Sequence, residues 1–414
     1  MSLAMRGGRI ARLGLRWLPL ALTFALFCWL AWPPPDPAKL FPDSASYTAW
    51  GYGRPPVPFL FYSLVGNGRG VPIAHTLLSL SCWLALGWVA LGLPGAITAG
   101  LLAGALPVVL WNKTVLSESL ALSLGAGFMA ATLLLGRGWT RPRFALWTAC
   151  LLLYTGVRVE NFFLVPPMIA ALALWHRRHW LAIGAASAVA VAMFVAFSIV
   201  IDKQNRNWQI RMTNVVLTRI LANPALAEEF FANGLPREPT LLAAKGRMLA
   251  AYDPAFVDAT PAFQRWLDEE SRPTYVAWLR GPEPHAMLFD GMDHVLKHWP
   301  FAFNYYTAGV RLPGSAWDFY PLSHAMRLPF ARWLLLALLP LACALLTWRL
   351  AFVDLFALAY LAAVYLMAFA VYHGDTGEMD RHLVLTSALY RFAPFIALAP
   401  LWERLRPLWR PTVR

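Results

Sequence analysis

An acidic residue with catalytic potential follows the first apolar run of the chain, in the sequence Pro42-Asp43-Ser44-Ala45-Ser46-Tyr47. A carboxylate here could act as a general base by accepting the proton of an attacking hydroxyl group. It could also bind a cation, or it could simply cap a helix, because Asp and Ser are common at helix starts. The motif alone leaves these roles of Asp43 open.

A second acid, Glu118, lies in the sequence Leu116-Ser117-Glu118-Ser119-Leu120, at the predicted start of an apolar helix. An acid in the first turn interacts favourably with the helix dipole, so a purely structural role would account for Glu118. With Asp43 nearby, the same carboxylate could instead hold a divalent cation or a hydroxyl group. The sequence favours neither role over the other.

A charged turn, Val157-Arg158-Val159-Glu160-Asn161, interrupts a long apolar stretch. Arg158 and Glu160 could pair with each other across this turn. Alternatively, Arg158 could bind a phosphate group, which the forked guanidinium fits well. Both residues are therefore candidates for substrate binding.

Four further residues are candidates for binding an anionic substrate. Arg54 and Lys113 lie beside apolar runs, where a long cationic side chain could either bind phosphate or merely extend toward the membrane surface. Arg381 and His382 precede the last apolar run, where their charges could face a lipid phosphate.

The composition identifies the fold class. The 414 residues are 59% hydrophobic and only 14% charged, whereas soluble domains carry about 25% charged residues. Apolar runs of roughly 15 to 21 residues recur along the chain, which is typical of an all-α polytopic membrane protein. All four cysteines fall inside such runs, so the sequence offers no disulfide framework.

The net charge of +13 predicts a topology rather than a nucleic-acid partner, because the arginines cluster in short loops between apolar runs. These loop arginines are Arg6, Arg9, Arg12, Arg16, Arg137, Arg141, Arg143, Arg177, Arg178, Arg404, Arg406, Arg410 and Arg414. The positive-inside rule then places both termini in the cytoplasm. Of the acids, only Asp354 and Glu403 fall on the cytoplasmic side. Richness in Leu, Ala, Arg and Trp favours a bacterial inner membrane.

We predict about ten transmembrane helices and two long exterior segments. The helices are expected near residues 16–32, 72–92, 96–111, 116–135, 144–157, 162–175, 181–200, 331–348, 355–372 and 383–401. The first is an uncleaved anchor, because only Pro33-Pro34-Pro35 follows it. This divides the chain into an N-terminal transmembrane module (1–200) that includes the first exterior segment (33–71), a large exterior, mainly helical segment (201–330), and C-terminal transmembrane helices with a basic tail (331–414).

Helical patterns are expected in the large exterior segment over 214–221, 225–231, 238–252 and 287–299. Its tryptophans, among them Trp208, Trp266 and Trp278, could stack on sugar rings, although such a set more often forms a core. In the first exterior segment, residues 56–65 predict a short helix at the membrane interface.

Short helix lengths predict that the charged residues are recessed into the membrane. The hairpin over 144–175 has arms of about 14 residues, or roughly 21 Å, against a hydrocarbon core of about 30 Å. The turn with Arg158 and Glu160 would therefore lie below the outer surface, where charges must pair or line a wet cavity. The helix before Lys113 is similarly short, so Lys113 and Glu118 would approach the same cavity.

The chain resembles the GT-C superfamily of membrane glycosyltransferases, and its protein O-mannosyltransferase and aminoarabinose-transferase branch most closely. The resemblance rests on PDSASY with GRPPVPFLF, on the acid in VLSESLALSL, on the VRVEN turn and on DRHLVLTSALYRFAPFIALAP. It covers the first seven predicted helices well and the last three loosely. It implies that a sugar is transferred, with inversion, from a polyprenyl-phosphate donor to a lipid, glycan or protein acceptor on the periplasmic side.

The resemblance also implies roles for individual residues. Asp43 would be the catalytic base and Glu118 the second acid. Arg158, with Lys113 or Arg381, would hold the lipid phosphate. Two other classes of function remain as alternatives: a lipid or sugar transporter, and a ligase of another fold that shares only the long exterior segments. A first exterior segment far from Arg158 and Glu118 would favour the ligase.

Overall fold

The computed structural model describes residues 21, 24–25, 40, 44–48, 54–66, 68–104, 106–247, 251, 253–281, 335–374 and 383–406. These residues are predominantly helical and include no β-strand. The prediction of an all-α membrane protein is therefore confirmed. The predicted helix over 16–32 lies almost entirely outside the described residues. The predicted helix over 287–299 lies wholly outside them, and so do residues 375–382 before the last predicted helix.

The N-terminal half contains the helices α1 (Ser44–Thr48), α2 (Pro56–Val65), α3 (Gly70–Leu91), α4 (Leu93–Ala103), α5 (Leu106–Asn112), α6 (Ser117–Gly136), α7 (Arg141–Thr155), α8 (Val165–Trp175) and α9 (Trp180–Asn205). A 3₁₀ turn, Val159–Leu164, precedes α8. Instead of the single helix predicted over 96–111, the chain forms α4 and α5, so that prediction was wrong. Gly104 caps the end of α4, and its backbone N–H donates to Gly100 O at 2.8 Å.

The described residues between 207 and 281 include six short α-helices, α10 (Asn207–Val215), α11 (Pro224–Ala232), α12 (Pro239–Ala243), α13 (Pro254–Asp258), α14 (Pro261–Glu269) and α15 (Ser271–Leu279). Proline begins four of them, where its missing N–H costs nothing. The helix predicted over 238–252 is wrong in length, because α12 ends early and Gly246 takes a left-handed conformation with φ of 80°. The part of the chain described after residue 334 contains three apolar helices: α16 (Leu338–Thr347), α17 (Phe352–Gly374) and α18 (Val384–Leu405).

Five helical stretches among the described residues are long and apolar enough to cross a membrane, namely Gly70–Leu91, Ser117–Gly136, Arg177–Val200, Phe352–Gly374 and Val384–Leu405. Shorter apolar helices accompany them, among them Val159–Trp175. The chain is therefore membrane-embedded. The total of about ten transmembrane helices stays a prediction.

Helices α3 and α4 form a hairpin in which their backbones touch. A Cβ atom at Gly87 would overlap the carbonyl oxygen of Gly95, and a Cβ atom at Gly95 would overlap that of Gly87. Gly92 makes the turn between the helices with φ of 68°, a conformation that favours glycine. Small residues let membrane helices approach this closely, so both helix-facing glycines are required by packing.

The antiparallel helices give the bundle two polar ends. One is called here the Glu118 end, where α6 begins and α17 ends. The other is called the Asp354 end, where α17 begins and α6 and α18 end; Phe352 packs there against Gly136. Each end contains a buried acid paired with an arginine, so the two can be compared directly.

Residues 206–281 enclose a second hydrophobic core, separate from that of the bundle. Trp266 is buried in this core, and Trp208 and Trp278 pack against it, which favours the packing role of these tryptophans over sugar stacking. Hydrogen bonds fasten the segment to the end of α17: Arg219 Nη2 donates to Tyr372 O at 2.7 Å, and the Tyr275 hydroxyl donates to His373 O at 2.7 Å. The segment therefore sits over the Glu118 end.

Candidate functional site

A non-helical linker at residues 113–116, called here the buried linker, joins α5 to α6. Its residues are buried, and so is Glu118 in the first turn of α6. Irregular backbone at membrane depth is tolerated only where protein or a wet cavity surrounds it, because lipid satisfies no polar group. The linker thus places Lys113 and Glu118, both ionisable, in a protein-enclosed part of the Glu118 end.

The helix that follows Asp43 packs against this linker. Ser44 Oγ in α1 donates a hydrogen bond to Val115 O at 2.8 Å. The Ser117 hydroxyl donates to the hydroxyl oxygen of Tyr47 at 3.2 Å. Asp43 itself lies outside the described residues, but its neighbour in the chain is bonded within a few residues of Glu118.

A second part of the first exterior segment contacts the same linker. The Tyr62 hydroxyl in α2 donates to Leu116 O at 2.6 Å, and it lies 3.4 Å from Nε2 of His75. The other ring nitrogen of His75, Nδ1, lies 3.2 Å from Asn112 O. The linker and its flanks are therefore held by side chains from α1, α2 and α3.

An alternating chain of charges extends from Glu118. Arg158 Nη1 donates to Glu118 Oε1 at 2.8 Å, and Arg158 Nε lies 3.5 Å from Glu160 Oε2. Arg211, from α10, donates to Glu160 Oε1. The side chains of Glu118, Arg158 and Glu160 are only 0%, 11% and 12% exposed. Because buried charges are costly unless paired, this mutual pairing is what allows four of them to lie together.

The pairing of Arg158 with Glu160 across the turn, one of two alternatives from the sequence, is present in the structure. The location of Glu118 in the first turn of a helix also agrees with the dipole interpretation. Neither the pairing within the turn nor the dipole interaction predicts the contact between Glu118 and Arg158, which are 40 residues apart in sequence. It brings two of the predicted site residues into one hydrogen-bonded group.

The remaining predicted residues are placed as follows. Arg54 is exposed, and its guanidinium carbon lies 5.1 Å from the ring centroid of Tyr47. The first turn of α2 reaches the Arg158 turn, since Val57 N donates to Gly156 O at 3.1 Å. Arg381 and His382 lie outside the described residues.

The structure adds two cations that the sequence did not single out. Arg211 joins the charge network, but nothing in its local sequence signals a partner 51 residues away. Arg391 is buried within α18, where its Nη1 donates to Ser387 O at 3.1 Å. A signal for Arg391 was available, because an arginine inside an apolar run is costly and often functional.

Among the described residues, no three His, Cys, Asp or Glu side chains come together in a group that could hold a metal ion. A cation shared by Glu118 and Asp43 stays a prediction, since Asp43 lies outside those residues.

No protein-family model matches this chain, and no curated protein or solved structure matches it significantly. The resemblance to GT-C glycosyltransferases therefore rests on the sequence motifs alone. What it implies about activity, donor and acceptor is accordingly a proposal.

Proposed function

We propose that this chain is a membrane glycosyltransferase that moves a sugar from a polyprenyl-phosphate donor to a lipid, glycan or protein acceptor. One observation carries the proposal. Segments that are distant in sequence meet at the Glu118 end: α1 next to Asp43, the buried linker before Glu118, and the turn with Arg158. A first exterior segment far from Glu118 would have favoured a ligase of another fold, and the contact of Ser44 with Val115 counts against that alternative.

In the proposed reaction, Asp43 accepts the proton of the acceptor hydroxyl as its oxygen attacks the anomeric carbon of the sugar. The bond from that carbon to the phosphate oxygen breaks, and polyprenyl phosphate leaves with the electron pair. Attack from the opposite face inverts the anomeric configuration. Arg158, with Lys113 or Arg381, stabilises the charge that develops on the leaving phosphate.

Glu118, the second acid, is proposed to act through its 2.8 Å contact with Arg158. The carboxylate keeps the guanidinium in one orientation within a poorly solvated site. A preorganised cation of this kind stabilises a developing negative charge more than a mobile one does, because it needs no reorganisation during the reaction.

The proposed topology has about ten transmembrane helices, both termini in the cytoplasm and the Glu118 end on the periplasmic side of a bacterial inner membrane. The distribution of basic residues supports this orientation. The turns at the Asp354 end carry Arg137, Arg141, Arg143, Arg177 and Arg178, which is typical of cytoplasmic loops. The lipid donor would then present its phosphate at the Glu118 end while its tail remains in lipid.

A transporter of lipids or lipid-linked sugars is the second candidate. Arg391 favours it, because this buried arginine lies well inside α18, and charges within the membrane often mark transport pathways. Purified protein in liposomes separates the two functions. Movement of the lipid across the bilayer without a change in its sugar would support the transporter, whereas sugar transfer to an acceptor would support the transferase.

The Asp43→Asn variant tests the proposed base. Asparagine caps a helix about as well as aspartate but accepts no proton, so a capping role predicts normal activity and a catalytic role predicts its loss. We expect sugar transfer to fall by at least about 100-fold in membranes supplied with lipid-linked sugar.

Asp253→Asn is the matched control. Asp253 caps α13 by accepting from Ala255 N at 3.0 Å, so the same change there should leave transfer unaltered. Normal transfer by folded Asp43→Asn protein would refute the assignment of the base.

A further inference from the structure

Tyr62 and His75 are two buried polar side chains in contact, with the Tyr62 hydroxyl 3.4 Å from His75 Nε2, and the proposed reaction does not use them. Both side chains are almost fully buried, and the ring of His75 is stacked on Phe61 with 4.9 Å between centroids. The two side chains lie between α2, α3 and the buried linker. Their polar atoms therefore contact backbone carbonyls as well as each other.

The number of hydrogens on His75 and Tyr62 determines which of their polar atoms donate and which accept. A neutral imidazole carries one N–H, and Nδ1–H is the form that can donate to Asn112 O at 3.2 Å. Nε2 then presents a lone pair toward the Tyr62 hydroxyl, 3.4 Å away. That hydroxyl gives its proton to Leu116 O, which is closer at 2.6 Å. Every donor has an acceptor, and no charge is needed.

The two carbonyls that receive these hydrogen bonds lie at the two ends of the buried linker, one just before it and one on its last residue. Asn112 O lies directly before Lys113, and Leu116 O lies two residues before Glu118. Both belong to residues that are almost wholly shielded from solvent. A buried carbonyl that loses its donor is destabilised, so the conformation of the linker depends on Tyr62 and His75.

We propose that Tyr62 and His75 are positioning residues, which hold the buried linker at both of its ends and thereby place Lys113 and Glu118. Neither residue touches the reacting atoms. The effect on catalysis rests on the proposed glycosyltransferase function, whereas the effect on the linker does not.

Hydrogen–deuterium exchange of the full-length protein in lipid nanodiscs tests the structural part. In Tyr62→Phe the ring stays and only the donor to Leu116 O is lost, so amides of the linker should exchange at least about tenfold faster. His75→Leu should act in the same way at Asn112. His75→Gln should restore slow exchange, because a glutamine amide can donate to Asn112 O in place of the imidazole.

Tyr360→Phe is the control for the loss of a buried tyrosine hydroxyl. Tyr360 donates to Leu389 O at 2.8 Å between α17 and α18, away from the linker. This variant should leave exchange in the linker unchanged. Unchanged exchange in folded Tyr62→Phe and His75→Leu would overturn the proposal.

Kinetics on the same proteins separate the two proposals. If sugar transfer is observed, Tyr62→Phe should lower kcat by about tenfold with little change in the KM for the lipid-linked sugar, and Tyr360→Phe should change neither. Faster linker exchange with unaltered kcat would overturn the catalytic part of the inference. Faster linker exchange in a protein whose wild type transfers no sugar would support positioning of the linker and refute the proposed function alone.

Discussion

The two ends of the bundle both bury an acid beside an arginine, but they pair these residues differently. At the Asp354 end, Arg404 uses Nη1 and Nη2 to reach the two carboxylate oxygens of Asp354, each at 2.9 Å, and Ala351 N donates to the same carboxylate. At the Glu118 end, Arg158 divides its nitrogens between Glu118 and Glu160.

The difference separates a structural ion pair from a candidate site. Asp354 and Arg404 lie near the ends of α17 and α18 and form a bidentate pair that joins two regular helices. Glu118 instead begins a network that runs through an irregular linker and a 3₁₀ turn to a helix outside the membrane bundle. Retaining such a network in a poorly solvated region is costly, and functional sites are where proteins most often do so.

The largest effects are expected from neutralising the two buried acids. The change at Glu118 should lower activity but not stability, and the change at Asp354 should lower stability but not activity. In Glu118→Gln, the amide can still accept from Arg158, and Arg158 keeps Glu160, so the protein should fold while sugar transfer falls by at least about 100-fold. Asp354→Asn leaves Arg404 without its counter-charge, which should lower the free energy of unfolding by about 3 kcal/mol without changing transfer per folded molecule.

Thermal unfolding in detergent and transfer assays on the same preparations measure both effects. If Glu118→Gln lowered the stability of the protein but not its turnover, Glu118 would be a structural partner of Arg158, as Asp354 is of Arg404.

A smaller contrast is expected between Arg211→Gln and Arg137→Gln. Both arginine side chains are 25% exposed and each bonds one glutamate, Arg211 to Glu160 and Arg137 to Glu403. Arg137→Gln should change stability by less than about 1 kcal/mol, as is usual for surface pairs. Arg211→Gln should lower sugar transfer several-fold, because Glu160 would then pull Arg158 away from Glu118. Equal transfer rates in the two variants would exclude Arg211 from the functional network.

The smallest effects are expected from pH, and they should fall at opposite extremes for the two ends. Burial raises the pKa of Tyr275 to about 12, so its hydrogen bond to His373 O contributes fully below pH 10 and is lost as pH rises through 12. Burial lowers the pKa of His176 at the Asp354 end, so its contribution is present above about pH 6.5 and is lost as pH falls through the lowered value.

Unfolding midpoints should therefore be measured from pH 5 to pH 12. In Tyr275→Phe the midpoint should decrease less at alkaline pH than in the wild type. In His176→Gln it should decrease less at acid pH. Alkaline exposure should also release residues 206–281 from α17 first, which limited proteolysis can detect. A decline unaltered by either substitution would show that other groups control the pH dependence.

The sequence predicted the all-α membrane class, the break at the Arg158 turn and the short helix α2, because hydropathy, proline position and charge are local properties. It identified Glu118, Arg158 and Glu160 as candidates but not the order of their pairing. The contacts of Ser44, Tyr62 and His75 with the linker depend on three helices meeting, which no local pattern encodes. The helix over 96–111 was wrong because an apolar run does not reveal where a helix breaks within it.

The contact between Gly87 and Gly95 bears on how the nascent chain enters a bilayer. With 11 residues, α4 extends about 16 Å, roughly half of the hydrocarbon core, so it is too short to be retained there by its own hydrophobicity. Its backbone lies directly against α3, which is long enough to cross. We expect the two to partition into lipid as one hairpin during synthesis. A bulky residue at either glycine would then impair insertion of the hairpin at the translocon, before synthesis of the protein is complete.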